Sequence, residues 1–230
     1  MSKALFVRAL PVLALTLGAC QSTTENSTPA FVSSPSSTTR AAVTGDGQMG
    51  VGAQAPNFSL TDHEGNRVSL SDFAGDIVVL EWFNPKCEFT RNSHIDGTLK
   101  RISDEFNGQG VQFLAINSTA PGNIGFSPDY GAAMCNQWDM EYPLLSDPNG
   151  EASSAFRVSV APTVCVIDGE GTIRYQGAVD NSPNQNGFGA KRFKDFVRNA
   201  IVAIQEGRNF NKTWAKPYGC PIETQDRTSH

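Results

Sequence analysis

The sequence predicts an α/β domain in which helices cover both faces of a central sheet of mixed strand direction. The run IVVLEWF, residues 77–83, is apolar on both faces, which is typical of a central strand between two layers of helices. A helical pattern and a second apolar run, VQFLAIN at 111–117, follow it as a strand-helix-strand unit. Farther on, apolar runs on both sides of DGEG predict an antiparallel hairpin. Parallel and antiparallel neighbours together predict the mixed sheet.

An N-terminal β-hairpin extends the sheet in this prediction. Apolar residues alternate with polar ones on either side of the turn DHEGN, at Phe58, Leu60, Val68 and Leu70. A short helical turn is expected at residues 70–73, and Gly75 ends it.

Three longer helices are predicted. The first should run from about residue 88 to 106, because five apolar side chains lie close to helical spacing: Phe89, Ile95, Leu99, Ile102 and Phe106. The second should span about 127–138, with Pro128 in its first turn. A short strand, YPLLSD, follows at 142–147. The last helix should span about 190–206, and Gly207 ends it.

The first 19 residues have the pattern of a signal peptide. Lys3 and Arg8 precede an apolar segment, 9–17, that is shorter than the roughly 20 residues a membrane-spanning helix needs. The segment ends in LGAC, which resembles the lipobox of bacterial lipoproteins and implies lipidation of Cys20. Gln21 after that cysteine favours, by resemblance to sorting signals, an outer-membrane anchor facing the periplasm.

The rest of the chain divides into a tether, a domain and a tail. Residues 20–48 are rich in Ser, Thr, Pro and Gly and hold too few large apolar side chains to form a core, so we expect a flexible tether. Residues 49–206 have the length of one domain, and 207–230 form a C-terminal tail. With a formal net charge of -5, the chain has no basic surface for nucleic acid, which we exclude as a partner.

Four cysteines remain once Cys20 is assigned to the lipid: Cys87, Cys135, Cys165 and Cys220. They allow three full disulfide pairings, between which the sequence cannot choose. Cys135 and Cys165 lie in a predicted helix and strand and are expected to be core residues. None of the spacings suggests a zinc site, and we expect no metal and no cofactor.

Four stretches together resemble the redoxin (AhpC/TSA-type) superfamily, and within it the peroxiredoxin-like group of extracytoplasmic thioredoxin-fold proteins. They are APNFSLTDHEGNRVSLSDFAGD, the strand ending in WFNPKC, APTVCVIDGEGTIRYQGAVDN and KPYGCPI, and the similarity covers about residues 52–222. The resemblance implies a thioredoxin fold with Cys87 at the first cysteine position of the family's active site. It also implies a cis-proline at Pro162 beside that thiol. The remaining residues expected to support the site or its substrate groove are Trp82, Asn84, Pro85, Ala161 and Thr163.

Cys87 is the candidate nucleophile. A thiol at the start of a helix faces unpaired backbone N–H groups, which favour the thiolate. Lys86 and Arg91 add positive charge, whereas Glu88, where relatives usually have proline, opposes them. We expect the thiol to be exposed at the junction of loop and helix. His94, two turns along the helix, is expected at the surface.

The peroxide-activating residues of typical peroxiredoxins are missing. Asn84 stands three residues before Cys87, where those proteins have Thr or Ser, and Leu80 stands where they have Pro. We therefore expect weak or no peroxidase activity. A copper-chaperone site is also excluded, because it needs a second cysteine four residues after the first, and Arg91 cannot bind copper.

A C-x-x-C pair is missing as well, since Thr90 takes the place of the second cysteine. Cys87 would need a small thiol, a partner protein or a distant cysteine to resolve a mixed disulfide. Cys220 is the best internal candidate, although it could instead staple the tail to Cys135 or Cys165. The sequence thus predicts a lipid-anchored thiol-disulfide oxidoreductase acting on envelope proteins or small-molecule thiols and disulfides through one nucleophilic cysteine. The alternative is a non-catalytic binding module of the cell envelope.

Overall fold

The computed structural model describes residues 50–95, 97–182 and 193–224. The strands are β1 (Ser59–Asp62), β2 (Arg67–Ser69), β3 (Ile77–Trp82), β4 (Val111–Asn117), β5 (Leu144–Ser146), β6 (Val160–Ala161), β7 (Thr163–Ile167), β8 (Ile173–Gly177), β9 (Trp214–Ala215) and β10 (Cys220–Pro221). The α-helices are α1 (Glu88–His94), α2 (Thr98–Phe106), α3 (Pro128–Gln137), α4 (Glu151–Ala155) and α5 (Phe196–Gln205). Short 3-10 turns occupy Leu70–Phe73 and Ile124–Phe126.

Eight strands form one sheet in the order β2-β1-β5-β4-β3-β7-β8-β9, and β10 pairs with β6 in a separate two-stranded sheet. β3 runs parallel to β4 and antiparallel to β7, so the sheet is mixed, as predicted. All six residues of β3 are buried, which explains the continuous apolar run in the sequence.

Two apolar layers lie on opposite faces of the sheet. Alternate residues of β3 supply them: Leu80 and Trp82 belong to one layer and Val79 to the other. The helices contribute apolar stripes to the second layer, from Leu99, Ile102 and Phe106 in α2 and from Val197, Ala200 and Ile201 in α5. The predicted α/β class, with both faces of the sheet covered, is confirmed.

The predicted hairpins and the helix at 127–138 are confirmed. In the first hairpin Leu60 lies opposite Val68, and the strands around DGEG pair as β7 and β8. α3 begins directly after Ser127, whose side chain accepts a hydrogen bond from the Tyr130 N–H.

The single helix predicted over 88–106 is wrong, because two helices occupy that range. α1 ends at His94, and Ile95 has extended backbone angles. Gly97, a poor helix former, precedes α2. Asp96 lies outside the described residues. The last helix also begins later than predicted, at Phe196, because the Asp195 side chain accepts a hydrogen bond from the Arg198 N–H and caps it. Residues 183–192 lie outside the described residues.

The residues after α5 enter both sheets. β9 pairs in parallel with β8, and β10 pairs antiparallel with β6. The predicted signal peptide, the tether and Cys20 lie outside the described residues. Among the residues that are described, no helix combines the length and the apolar character needed to cross a membrane.

Gly177 at the end of β8 should be required for the position of β9. Its φ is 149°, and a Cβ atom there would lie 2.1 Å from the Ala215 carbonyl oxygen. We expect Gly177→Ala to lower the free energy of unfolding by about 2 kcal/mol or more, because backbone atoms cannot move aside as a side chain can. Gly65→Ala is the control, since Gly65 also has a positive φ but open space around it. Equal losses for the two variants in urea unfolding would contradict this contact.

Candidate active site

Cys87 lies where the loop after β3 enters α1. It is the N-cap residue of α1, with extended backbone angles. Its N–H donates to the Asn84 carbonyl oxygen at 3.0 Å, and the Lys86 N–H donates to the Asn84 side-chain oxygen at 2.9 Å. Together with the buried ring of Pro85, these bonds hold the turn that presents Cys87.

Cys87 forms a disulfide with Cys220, with 5.7 Å between the two Cα atoms. The two cysteines are 133 residues apart in the chain. Of the cysteines that the structure describes, Cys135 and Cys165 are free and buried. The alternative pairings of Cys220 with Cys135 or Cys165 are therefore wrong, and those two residues belong to the core as predicted.

The backbone at Ala161 and Pro162 lies beside this disulfide. The bond between these two residues is cis, as the resemblance implied. The Sγ atom of Cys87 lies 3.3 Å from the Ala161 carbonyl oxygen. Thr163 begins β7, and its hydroxyl donates to the Val160 carbonyl oxygen at 2.7 Å, which ties the two sides of Pro162 together.

The C-terminal tail crosses the same place. In the β10–β6 pair, Cys220 lies opposite Ala161 and Pro221 lies opposite Val160. The Ile222 N–H donates to the Ser159 carbonyl oxygen at 3.0 Å and extends the pairing. Cys220 is thus held by its neighbours in the strand as well as by its bond to Cys87.

The expectation of an exposed Cys87 is wrong for this disulfide form, in which the residue is 1% exposed. The sulfur is covered because Cys220 is bonded to it and β10 lies along Ala161. Trp82 is fully buried and packs on Phe156, with ring centroids 5.3 Å apart, so it acts as a core residue below the loop.

A buried polar cluster lies behind α1, and the sequence predictions missed it. His94 was expected at the surface, which is wrong: it is 1% exposed, and its Nε2 lies 2.9 Å from a carboxylate oxygen of Glu81. The Tyr142 hydroxyl donates to the other carboxylate oxygen at 3.0 Å. The Trp138 ring stacks on His94 at a centroid distance of 5.8 Å.

A signal for this cluster was present in the sequence. Glu81 interrupts a run that was itself predicted to be buried on both faces. A carboxylate in such a strand needs a hydrogen-bonding or charged partner, because burying it alone is costly. What the sequence lacked was the identity of the partners, which come from α1 and from the segment before β5.

Cys135, Cys165 and Thr90 carry the other thiols and a hydroxyl near the site, and all three are buried. Burial, with the nearby Glu81 charge, raises the pKa of Cys135 to about 12. Burial also raises the pKa of Cys165. Neither is a thiolate near neutral pH. Thr90 is fully buried in α1, and its hydroxyl has no hydrogen-bond partner among the described residues. No group of acidic, histidine or cysteine side chains in the described part of the chain could hold a metal ion.

The sheet, the cysteine at a strand-to-helix junction and the cis-proline beside it define a redoxin with the thioredoxin fold. The family model described as AhpC/TSA family matches residues 51–176, more than half of the chain. The chain belongs to this family.

Individual relatives agree with that assignment. The chain is 26% identical over 129 residues to the thiol-disulfide oxidoreductase ResA of Bacillus thuringiensis subsp. konkukian, covering 55% of this chain and 68% of that protein. An uncharacterized conserved protein from Geobacillus kaustophilus superposes with a TM-score of 0.70 at 27% identity, covering 76% of this chain and 93% of that one. A hypothetical protein from Sinorhizobium meliloti 1021 shares the fold, with a TM-score of 0.68 at 23% identity, and the match covers 77% of this chain and 96% of that one.

Alkylation of the folded, unreduced protein should leave all four described cysteines unmodified. Cys87 and Cys220 are bonded, and burial keeps Cys135 and Cys165 protonated and covered. Of the four described cysteines, iodoacetamide in urea without reductant should label only Cys135 and Cys165, as peptide mass spectrometry can determine. Labelling of Cys220 before reduction would contradict the observed pairing.

The Glu81–His94 contact should stabilise the fold through the pair and not through either residue alone. His94→Phe keeps an aromatic ring beside Trp138 but leaves Glu81 without its nearest partner, so we expect it to lower the free energy of unfolding by about 3 kcal/mol. The double variant Glu81→Met/His94→Phe should recover most of that loss, because no charged group then remains buried and unpaired. Urea unfolding of the three variants, including Glu81→Met, measures the coupling. Additive losses would contradict it.

Proposed function

We propose that the chain is an extracytoplasmic thiol-disulfide oxidoreductase whose redox pair is Cys87 and Cys220. The observation that carries this proposal is the disulfide between these residues, placed directly beside the Ala161–Pro162 backbone. The ResA relative is itself named a thiol-disulfide oxidoreductase. The expectation of one nucleophilic cysteine is thereby extended: Cys87 attacks and Cys220 resolves.

The two cysteines have different roles because they lie in different settings. Cys87 belongs to the loop-to-helix junction after the central strand, in a turn held by hydrogen bonds to Asn84. Cys220 lies in a two-residue strand near the end of the described chain. We therefore assign the first attack to Cys87. Asn84 and Pro85 hold its loop, Trp82 packs below it, and the backbone of Ala161 to Thr163 forms the wall of the groove.

The reaction is balanced by the two thiols of the reduced protein. The Cys87 thiolate attacks one sulfur of a substrate disulfide, and the other substrate sulfur leaves as a thiolate that takes up a proton. The Cys220 thiolate then attacks the Cys87 sulfur and releases the second substrate thiol. One substrate disulfide has become two thiols, and the protein holds the Cys87–Cys220 disulfide. An external thiol or dithiol reductant returns the protein to its starting form.

The location that fits this chemistry is the bacterial cell envelope. Disulfides persist in the periplasm and are rare in the reducing cytosol. We propose that residues 1–19 are a signal peptide, that Cys20 carries a lipid, and that residues 20–48 tether the redoxin domain to the outer membrane, facing the periplasm. Envelope proteins and small-molecule thiols or disulfides are then the substrates within reach. Peroxide is a poor substrate, because Asn84 and Leu80 replace the residues that typical peroxiredoxins use.

A non-catalytic binding module is the second candidate. One observation favours it: the sulfur of Cys87 is covered, and the tail already occupies the edge of the groove. The two candidates differ after reduction. An oxidoreductase exposes a reactive Cys87, whereas a binding module has a Cys87 no more reactive than an ordinary thiol.

Replacement of the two cysteines should separate the two steps of the reaction. Cys87→Ser should reduce the rate of insulin disulfide reduction to that of the dithiol reductant alone, because no first attack is possible. With the external dithiol removed, reduced Cys220→Ser should attack once and accumulate a mixed disulfide between Cys87 and substrate, because neither Cys220 nor an external thiol can resolve it. Non-reducing gels and mass spectrometry identify the mixed disulfide.

Cys135→Ala is the matched control, since it removes a buried thiol that lies outside the redox pair, and its activity should equal that of the parent chain. A Cys87→Ser protein that retains catalysis would overturn the assignment. A reduced parent chain whose Cys87 reacts no faster than a free thiol would favour the binding module instead.

A further inference from the structure

The tail occupies the place beside Cys87 in the manner of a bound peptide. The tail strand, here residues 218–222, contains β10 and pairs antiparallel with β6 through Cys220 and Pro221. The Ile222 N–H donates to the Ser159 carbonyl oxygen at 3.0 Å, and the Ala120 N–H donates to the Glu223 carbonyl oxygen at 2.8 Å. These bonds involve main-chain atoms only. Any extended segment with a suitable shape can form them, which is how strand addition binds peptides.

The position before the cysteine accepts only glycine. Gly219 has a φ of 145°. A Cβ atom built there would lie 2.0 Å from the Ala161 carbonyl oxygen and 3.0 Å from the Pro162 Cδ. Both neighbours belong to the backbone or to a proline ring, so they cannot turn away as a flexible side chain can. Other residues would lift the strand off β6 and move the cysteine away from Cys87.

Of the two residues after Cys220, the first is exposed to solvent and the second is buried. Pro221 is exposed, whereas Ile222 is 5% exposed. Ile222 belongs to the buried apolar cluster that also contains Trp82 and Phe156. The second position after the cysteine is therefore an apolar pocket that fits an aliphatic side chain, and the first is unrestricted.

The position two before the cysteine holds an aromatic side chain. The Tyr218 ring lies 6.0 Å from the Phe89 ring, and its hydroxyl donates to an Asp180 carboxylate oxygen at 2.7 Å. Burial and the nearby Asp180 charge raise the pKa of Tyr218, so the hydroxyl remains a donor at any physiological pH. A tyrosine fits here because both its ring and its hydroxyl have partners.

We propose that the tail strand mimics a bound substrate. The groove takes an extended segment of a client protein with glycine directly before its cysteine and an aliphatic residue two positions after it. A tyrosine two positions before the cysteine completes the pattern. This inference rests on the proposed function, because it names the substrate of the same site. The client segment and the tail strand compete for β6.

The exchange follows from that competition. With the protein reduced, the client segment replaces the tail strand, and the Cys87 thiolate attacks the client cysteine in the place of Cys220. The partner cysteine of the client disulfide leaves as a thiolate and is protonated. The tail strand then returns, the Cys220 thiolate attacks Cys87, and the client leaves with both of its cysteines reduced. An external dithiol then reduces the Cys87–Cys220 disulfide to two thiols.

Three peptides test this pattern. The full-length chain with Cys20→Ser and Cys220→Ser keeps Cys87 as its accessible thiol among the described cysteines. The parent peptide, KPYGCPIE, repeats residues 216–223 and carries thionitrobenzoate on its cysteine as a mixed disulfide. The other two peptides have alanine for the glycine or serine for the isoleucine. Release of thionitrobenzoate reports each reaction with Cys87, and glutathione carrying the same group is the small-molecule reference.

The parent peptide should react about tenfold faster than either altered peptide, because a backbone clash or an unfilled pocket each weakens the bound state by an amount of that order. Equal rates for the three peptides, all faster than with a free model thiol, would overturn the substrate pattern and leave the oxidoreductase intact. Rates for every peptide and for glutathione no faster than those of a free thiol would instead overturn the proposed function.

A second experiment changes the tail strand in a chain that retains Cys220. Gly219→Ala, with Cys20→Ser, should slow closure of the Cys87–Cys220 disulfide by an oxidant such as oxidised dithiothreitol. It should also speed the reaction of reduced Cys87 with the parent peptide, because the tail no longer competes. Gly207→Ala is the matched control: Gly207 has a φ of 62° and open space around it. Identical behaviour of the two variants would refute a tail strand that competes with the client.

Discussion

The antiparallel pairing of Cys220–Pro221 with Val160–Ala161 is the contact on which the candidate site depends. It brings together two cysteines that are 133 residues apart, which the loop-closure entropy of so long a segment opposes. The pairing offsets that cost with main-chain hydrogen bonds, with the buried side chain of Ile222 and with the close approach that Gly219 allows. Contacts other than the disulfide therefore also hold Cys220 next to Cys87.

The position of Cys87 depends in turn on the buried polar cluster of Glu81, His94, Trp138 and Tyr142. Glu81 lies in β3 and His94 lies at the end of α1, so their contact joins the central strand to the helix that begins at Cys87. The Tyr142 hydroxyl satisfies the second oxygen of the carboxylate, and the Trp138 ring covers His94. The buried Glu81 carboxylate is tolerated here because each of its two oxygens has a hydrogen-bonding partner.

The proposed redox pair differs from a C-x-x-C pair in that its second cysteine, Cys220, lies on the tail. In a C-x-x-C pair, both thiols lie on one helix and the substrate binds beside them. Here Cys220 lies opposite Ala161, the position that we propose for the substrate cysteine. In the proposed exchange, the client segment and the tail strand compete for β6, so return of the tail couples closure of the disulfide to departure of the client. Thr90 stands where the second cysteine of the pair would be, and its buried hydroxyl cannot form a disulfide.

The sequence by itself determined the α/β class, both hairpins, the central strand and Cys87 as the thiol at a helix start, because each of these follows from local periodicity or turn chemistry. It did not determine that Gly97 separates α1 from α2, since the apolar spacing stays helical across the break between them. The burial of His94, its pairing with Glu81 and the choice of Cys220 over Cys135 or Cys165 were decided only by the tertiary structure. Each joins segments far apart in the chain, and only packing of the whole sheet makes them neighbours.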